Sequence, residues 1–283
     1  MDEVLADWCA RAERERPGPV GQAIGYSLAA PGKRLRPALV IGAYREVGGT
    51  GQVEELATAV EVIHTYSLVH DDLPCMDDDD LRRGRPTTHR RFGVPVATEA
   101  GFEMVPLAAR VLRAGAARLG LGAARLAAVA SELFRAAGAS GMIGGQVLDL
   151  EGEGRPPEMD ALVAIHRRKT GALITASAVV GALAAEADPP RLDAMRRFGE
   201  EIGFAFQVVD DVLDAVGTSE ELGKTAGKDA RQHKASFAAL LGAEQAMGRA
   251  RDAARRAVDR LGEAGLDSRL LAALAEFVVS RRS

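Results

Sequence analysis

The chain has 283 residues, of which 47% are hydrophobic, and a formal net charge of -4. That composition suits a globular core and excludes disorder, and the charge gives no reason for general affinity to nucleic acid or anionic membrane. A site for an anionic substrate must therefore be a local basic cluster or a metal cluster.

Alanine, leucine, arginine and glutamate dominate and aromatics are only 4%, which favours helix over sheet. Apolar residues at helical spacing predict helices over 2–15, 20–30, 34–48 and 52–73. A polar, charged break runs from Leu73 to Pro86. Helices resume over 93–118, 123–152, 158–185 and 189–215. A second break, Ala215 to Lys234, carries Gly217, Gly223 and Gly227 with three lysines, and is expected to close over bound ligand. Helices over 233–262 and 267–281 complete the chain. There is no strand-type alternation of useful length, no internal repeat and no linker. The reading is a single all-α domain over 1–283, a large helical bundle around a central cavity. Cys9 and Cys75 are too few for a disulfide framework and fit a reducing cytoplasm. The start Met1-Asp2-Glu3 does not read as a signal peptide, and no run of about 18 uncharged apolar residues predicts a membrane span.

Both breaks follow an aspartate-rich helix end. The first is Asp71-Asp72-Leu73-Pro74-Cys75-Met76-Asp77, followed by Asp78, Asp79 and Asp80; the second is Asp210-Asp211-Val212-Leu213-Asp214. Asp210 and Asp214 are four apart and share a helix face, where like charges repel. A divalent cation removes that repulsion, and oxygen-only ligands point to magnesium. Asp78 to Asp80 by themselves read as a solvated acidic loop, and residues 77–88 lack the acid and glycine pattern of a calcium loop. Three predicted helices separate the two acidic helices, so in an up-down bundle those two run parallel. Both clusters then sit at one end of the bundle, at helix C-termini whose partial negative charge favours cations.

Basic groups fall beside them: Lys33, Arg34 and Arg36, then Arg82, Arg83 and Arg85, then Lys169-Thr170, then Lys224, Lys228 and Lys234. Singly, each reads as a solvated charge. Together with the acids they indicate two diphosphates, one held through metals and one by side chains. His64 lies seven residues before Asp71 on nearly the same face; it reads either as a buried hydrogen-bonded histidine or as part of the site. Zinc is not expected, since no cysteine accompanies it. Gln207, three before Asp210, is either a core-edge amide or a donor to a diphosphate.

The segments GKRLRP at 32–37, IHTYSLVHDDLPCMDDDDLRRGRPTTH at 63–89, GMIGGQVLDL at 141–150, KTGAL at 169–173, FQVVDDVLD at 206–214, LGKTAGKD at 222–229 and LAEFVVSRR at 274–282 closely resemble the trans-isoprenyl diphosphate synthases, and among them the bacterial farnesyl diphosphate synthases. The resemblance covers nearly the whole chain. It implies a prenyltransferase that joins isopentenyl diphosphate head-to-tail to a dimethylallyl or geranyl diphosphate. The product it implies is farnesyl diphosphate, with geranyl or geranylgeranyl diphosphate as alternatives. It also implies three Mg2+ per site, replaceable by Mn2+, and a cytoplasmic homodimer.

Residue by residue, the resemblance makes Asp71 and Asp77 magnesium ligands and Asp210 the ligand of a third ion, supported through water by Asp211 and Asp214. Asp72 joins them in the catalytic set. Lys33, Arg36, His64 and Arg83 would bind isopentenyl diphosphate. Arg82, Lys169, Thr170, Gln207, Lys224 and Lys234 would bind the allylic diphosphate, with Lys169, Thr170, Gln207 and Lys224 also acting in catalysis. Tyr66 and Ser67, five and four residues before Asp71, would set the floor of the product tunnel.

The chain departs from the family where members commonly read A-G-D-A-L; here Gly101 is followed by Phe102 and Glu103. That puts product length in question and makes Phe102 a third chain-length residue. A class I terpene cyclase shares the fold and first motif, but its second motif differs from Asp210, Asp214 and Thr218, and it has no use for GKRLRP. A non-catalytic regulatory subunit is the other alternative; it usually lacks one aspartate motif, and turnover by the purified chain separates the two.

Overall fold

The computed structural model describes residues 1–152, 158–216 and 236–281. In chain order the helices are α1 (Asp2–Glu15), α2 (Pro19–Leu28), α3 (Leu35–Glu46), α4 (Glu54–Asp71), α5 (Thr88–Phe92), α6 (Val94–Arg118), α7 (Ala123–Ala137), α8 (Met142–Gly152), α9 (Met159–His166), a π-helical turn (Arg167–Gly171), α10 (Ala172–Ala184), α11 (Pro189–Val216), α12 (Phe237–Leu241), α13 (Ala243–Glu263) and α14 (Arg269–Ser280).

Two helices form the middle of the bundle. α10 is apolar on every side and buried along its length, as a helix enclosed by others must be. α4 is buried from Glu55 to Ile63 on all faces and packs along α6. One apolar cluster gathers α1, α2, α4, α6 and α7. The other gathers α11, α13 and α14. α3 and α10 belong to both: Val40 and Leu173 face the first, Leu39 and Ile174 the second. α13 meets α11 through an alanine stripe, Ala246, Ala250, Ala253 and Ala257, which lets the two backbones approach closely. Ser236 and Ser268 cap α12 and α14, each accepting from a backbone N–H three residues on.

Several predicted helices are interrupted. The element over 123–152 breaks at Gly138–Gly141 into α7 and α8. The one over 158–185 carries the π turn at its centre, and the one over 233–262 restarts after Gly242. The segment after α4 also holds a two-stranded hairpin, β1 (Leu81–Arg82) against β2 (Arg85–Pro86), too short for any alternation to reveal. Its tip, Arg83-Gly84, has positive φ at both residues (55° and 71°), as a tight two-residue hairpin turn requires.

Candidate active site

The first acidic cluster is built by the chain folding back on the end of α4. Asp77 N–H donates to the Asp71 carbonyl (2.8 Å), Asp78 to Leu73 (3.1 Å) and Asp79 to Asp72 (3.3 Å). Asp77 is thereby set beside Asp71. Burial pushes the Asp71 carboxyl up to about 6; Lys169 opposes this, and the charges of Asp77 and Asp72 add to it. Asp72 is 3% exposed and also lies at about 6, by burial, with Arg82 opposing. Arg82 donates Nε and Nη2 to Asp72 (2.9 and 2.5 Å) and Nη2 to Asp79 (3.0 Å). One expectation changes here. Asp79 is not part of a solvated loop but a buried partner of Arg82, because the backbone turn carries it under the helix end. Arg82, expected on the allylic diphosphate, is engaged by the two carboxylates. Asp78 and Asp80 are exposed, each paired with the surface residue Arg90.

Lys169 and Thr170 sit on the π turn, where the extra residue re-aims side chains out of helical register. α8 lies flush against this turn at Gly145: a Cβ there would meet the Lys169 nitrogen at 2.1 Å. One turn along α8, Asp149 takes the Lys169 ammonium at 2.6 Å. On the other side, Thr170 Oγ1 donates to Gln207 Oε1 (2.8 Å) and Gln207 Nε2 to Asp211 Oδ1 (2.9 Å). Asp211 Oδ2 accepts the Phe237 N–H (2.8 Å), and the His166 ring lies 3.6 Å from it. The π turn therefore bridges the two acidic clusters, although α5 to α10 lie between α4 and α11 where three helices were expected.

The second cluster is uneven. Asp211 and Asp214 are buried, and both Asp211 oxygens are held within the protein, so its place is that of an anchor between α11, Gln207 and α12. Asp210 points outward, 40% exposed, and its Oδ1 accepts from Arg281 at 2.5 Å. The Arg281 side chain is only 4% exposed; it also donates to the Phe206 carbonyl (2.9 Å) and lies over the Phe206 ring.

Arg36 and Arg83 lie near His64, while Lys33 lies near Arg281 and Asp210. Arg36 is buried and its Nε has no partner among the described residues; burial brings its pKa down to about 10, against the pull of Glu61 and Asp210. His64 is held well below its ordinary range by burial and then by Arg36, Arg83, Arg82 and Arg34, so it is neutral at pH 7. Burial and Arg281 lower Lys33, and Asp210 opposes them. Buried cations that depress one another, with an unmatched guanidinium N–H among them, need an anion. Arg34 plays a supporting part: it donates to Glu61 at 2.5 Å inside the core, where Glu61 is 1% exposed.

Ser67 turns its hydroxyl back onto the His64 carbonyl (2.8 Å). Tyr66 is half-buried, five residues before Asp71 on α4; burial and then the Asp71 charge raise its pKa. Phe102 is 64% exposed and meets His70 edge-on. Lys224, Lys228, Lys234 and Thr218 lie outside the described residues.

The residues fit magnesium. The donors of Asp71, Asp77 and Asp210 are all carboxylate oxygens, and a cation beside Asp71 and Asp77 would offset the burial that chiefly raises the former and the repulsion that adds to it. Among the described residues no three acidic, histidine or cysteine side chains form a ready cage. That suits an ion that takes few protein ligands and completes its shell with water and phosphate.

Sequence reading missed Asp149, Arg281, and the pair Arg34–Glu61. A signal existed for the last: an acid inside the run Val60-Glu61-Val62-Ile63 requires a buried partner.

A helical bundle that gathers two carboxylate clusters and a group of under-compensated cations at one end defines an enzyme built around a polyanion. The polyprenyl synthetase family profile matches residues 19–268, and the chain belongs to that family. It is 46% identical over 268 residues to a farnesyl diphosphate synthase of Escherichia coli, spanning 93% of this chain and 89% of that one. It is 38% identical to a farnesyl diphosphate synthase of Bacillus subtilis, over 94% and 90% of the two chains. A chloroplast geranylgeranyl pyrophosphate synthase of Capsicum annuum is 42% identical, over 94% and 73%. Among solved structures, a Helicobacter pylori geranyltransferase complexed with magnesium and isoprenyl diphosphate superposes with a TM-score of 0.81 at 29% identity, over 97% and 95% of the two chains.

Proposed function

We propose that the chain is a prenyltransferase that condenses isopentenyl diphosphate with dimethylallyl or geranyl diphosphate to give farnesyl diphosphate. The observation that carries this is the division of the site. Asp71, Asp77 and Asp210 form a carboxylate side suited to a metal-held diphosphate. Lys33, Arg36, Arg83 and neutral His64 form a cationic side suited to a diphosphate held without metal.

Asp71, Asp77 and Asp210 would hold magnesium, which would supply positive charge to the allylic diphosphate and make it a better leaving group. Lys169, oriented by Asp149, places a positive charge where the departing diphosphate gains negative charge. Thr170 and Gln207 hold the adjacent polar positions through their mutual bond. The allylic C–O bond breaks with its electron pair leaving on diphosphate. The double bond of isopentenyl diphosphate, fixed by Arg36 and Arg83, attacks the allylic carbon. The proton then lost passes to the diphosphate, so no protein nucleophile is required. Asp72 acts indirectly, through Arg82.

A count of three Mg2+, replacement by Mn2+ and a homodimer are further parts of this reading, as is the cytoplasm, which suits the free thiols Cys9 and Cys75. No helix among the described residues is long and apolar enough to cross a membrane.

Tyr66, five residues before Asp71 on α4, is the floor that stops growth at fifteen carbons, with Ser67 beside it; Phe102, 64% exposed, packs on His70 rather than lining that floor. The second reading is a twenty-carbon product, which the plant relatives favour. Incubation of purified protein with isopentenyl diphosphate and each allylic primer, followed by product chromatography, decides. Farnesyl diphosphate as the dominant product supports the proposal; absence of any condensation overturns it.

A further inference from the structure

Three aromatic rings stand in series across the seam between α4 and α6. Tyr66 meets His70 edge-on with centroids 5.1 Å apart, and His70 meets Phe102 edge-on at 5.0 Å. Tyr66 and His70 are one turn apart on α4, and Phe102 comes from α6. The middle ring is fixed on two further sides. His70 Nε2 lies 3.1 Å from the Thr98 carbonyl, to which it donates in the Nε2–H tautomer. The ring also occupies the space a side chain at Gly101 would take: a Cβ there would fall 2.1 Å from Nε2 and 2.3 Å from Cδ2. His70 is thus clamped by α6, while its other edge abuts Tyr66.

We infer that His70 is a specificity-determining positioning residue: it braces the Tyr66 ring and so sets the product length. The physical argument is one of stiffness. A half-buried tyrosine at the wall of a lipid-filled tunnel has other rotamers, and a growing prenyl chain would push it toward one of them. His70 removes one direction of escape, because it is itself blocked by the Thr98 carbonyl, the Gly101 backbone and the Phe102 face. Sequence spacing from Asp71 marks Tyr66 and Ser67, but the brace is visible only once α6 is packed against α4.

The inference rests on the reading of Tyr66 as the tunnel floor, and the test separates the two. Products from isopentenyl and geranyl diphosphate are measured by chromatography for Tyr66→Ala, His70→Asn, His70→Phe and the double variant Tyr66→Ala/His70→Asn. Expected is a longer product from Tyr66→Ala. His70→Asn, which loses the ring and is too short to reach the Thr98 carbonyl that Nε2 meets, should raise the ratio of twenty- to fifteen-carbon product by about three- to tenfold, the scale of one lost ring contact. His70→Phe keeps a ring and should retain the fifteen-carbon product. The double variant should match Tyr66→Ala alone, because the brace has nothing left to hold. The readout is a product ratio, so a general loss of rate beside Asp71 does not disturb it. If Tyr66→Ala lengthens the product and His70→Asn does not, the brace is overturned and the floor stands. If Tyr66→Ala leaves product length unchanged, floor and brace both fall.

Discussion

The two acidic clusters carry the same residue type at the same end of the bundle but are held by different parts of the chain. The first is held locally. Asp72 is secured by Arg82, ten residues on, and Asp77 and Asp79 are placed by backbone bonds to the helix end itself. The second is held from a distance. Asp211 is tied to Phe237, 26 residues on, and Asp210 to Arg281, 71 residues on. In each cluster one carboxylate is buried and braced while another faces the site: Asp72 beside Asp71, Asp211 beside Asp210. The difference teaches that a doubled aspartate is held unequally, one residue buried and bonded within the protein and its neighbour turned toward the proposed site.

That division gives the largest expected effect. Asp71→Ala and Asp210→Ala should each lower turnover by about a thousandfold or more, because a ligand for the metal-held diphosphate is lost, while the fold is retained. Asp72→Ala should instead leave Arg82 partly buried beside Asp79 alone and lower unfolding free energy by about 3 kcal/mol. Turnover and thermal unfolding measured on the same three variants check this. Equal stability loss in all three would remove the distinction between brace and ligand.

Next in size is the cationic side. Arg36→Ala removes the buried guanidinium whose Nε is unmatched among the described residues. KM for isopentenyl diphosphate should rise by about ten- to a hundredfold, with a much smaller change for the allylic substrate, as loss of one charge-assisted pair implies. Steady-state kinetics with each substrate varied in turn provide the check; a matching rise in both KM values would merge the two proposed subsites.

How much of this was legible follows the same local-versus-distant line. The all-helical bundle came from periodicity, the two acidic clusters from contiguous motifs, and the cationic set around His64 only from the family resemblance. The fold-back that buries Asp79 was not legible, since DDDD reads as solvated until backbone bonds turn it under α4. Nor was the break at Gly138–Gly141 or the π turn: both lie inside unbroken apolar periodicity, and only the packing of α8 against Lys169 makes their purpose plain. Asp149 and Arg281 were missed because each meets its partner only through tertiary packing.

A third effect concerns protons. The Asp71 and Asp72 carboxyls rise from an ordinary 3.8 to about 6 in the folded chain. The folded state therefore binds these protons more tightly than the unfolded state. Without metal, their contribution to stability is most favourable below about pH 4 and is lost as pH rises toward 6. Magnesium needs the deprotonated carboxylate, so its affinity should be weak below pH 6 and climb by up to about tenfold per pH unit before levelling off above it. Calorimetric titration of magnesium between pH 5 and 8 should show this with proton release at the acid end; a flat profile would mean that Asp71 is already ionised throughout.

The smallest effect tests the distant half of the comparison. Arg281 reaches Asp210 from the C-terminal end of α14, and its guanidinium is buried against Phe206 while the Asp210 carboxylate is open to solvent. A cation on a carboxylate that must also meet magnesium is a competitor as well as a support. If competition dominates, Arg281→Ala should tighten magnesium binding at Asp210 by about two- to fivefold at low ionic strength, the scale of one partly solvated ion pair. If support dominates, the same change should weaken magnesium, because Asp210 would lose the bond that fixes its rotamer. Competition is the expected outcome. Arg281 has a second hold on the Phe206 carbonyl, so it can remain docked after releasing the carboxylate, whereas Asp210 is already aimed by its place on α11 one turn beyond Phe206. Magnesium titration of Arg281→Ala beside Arg281→Lys distinguishes the two cases. Lysine keeps the charge but not the planar fork, so under competition it should resemble the parent protein, and under loss of a shaped support it should resemble alanine.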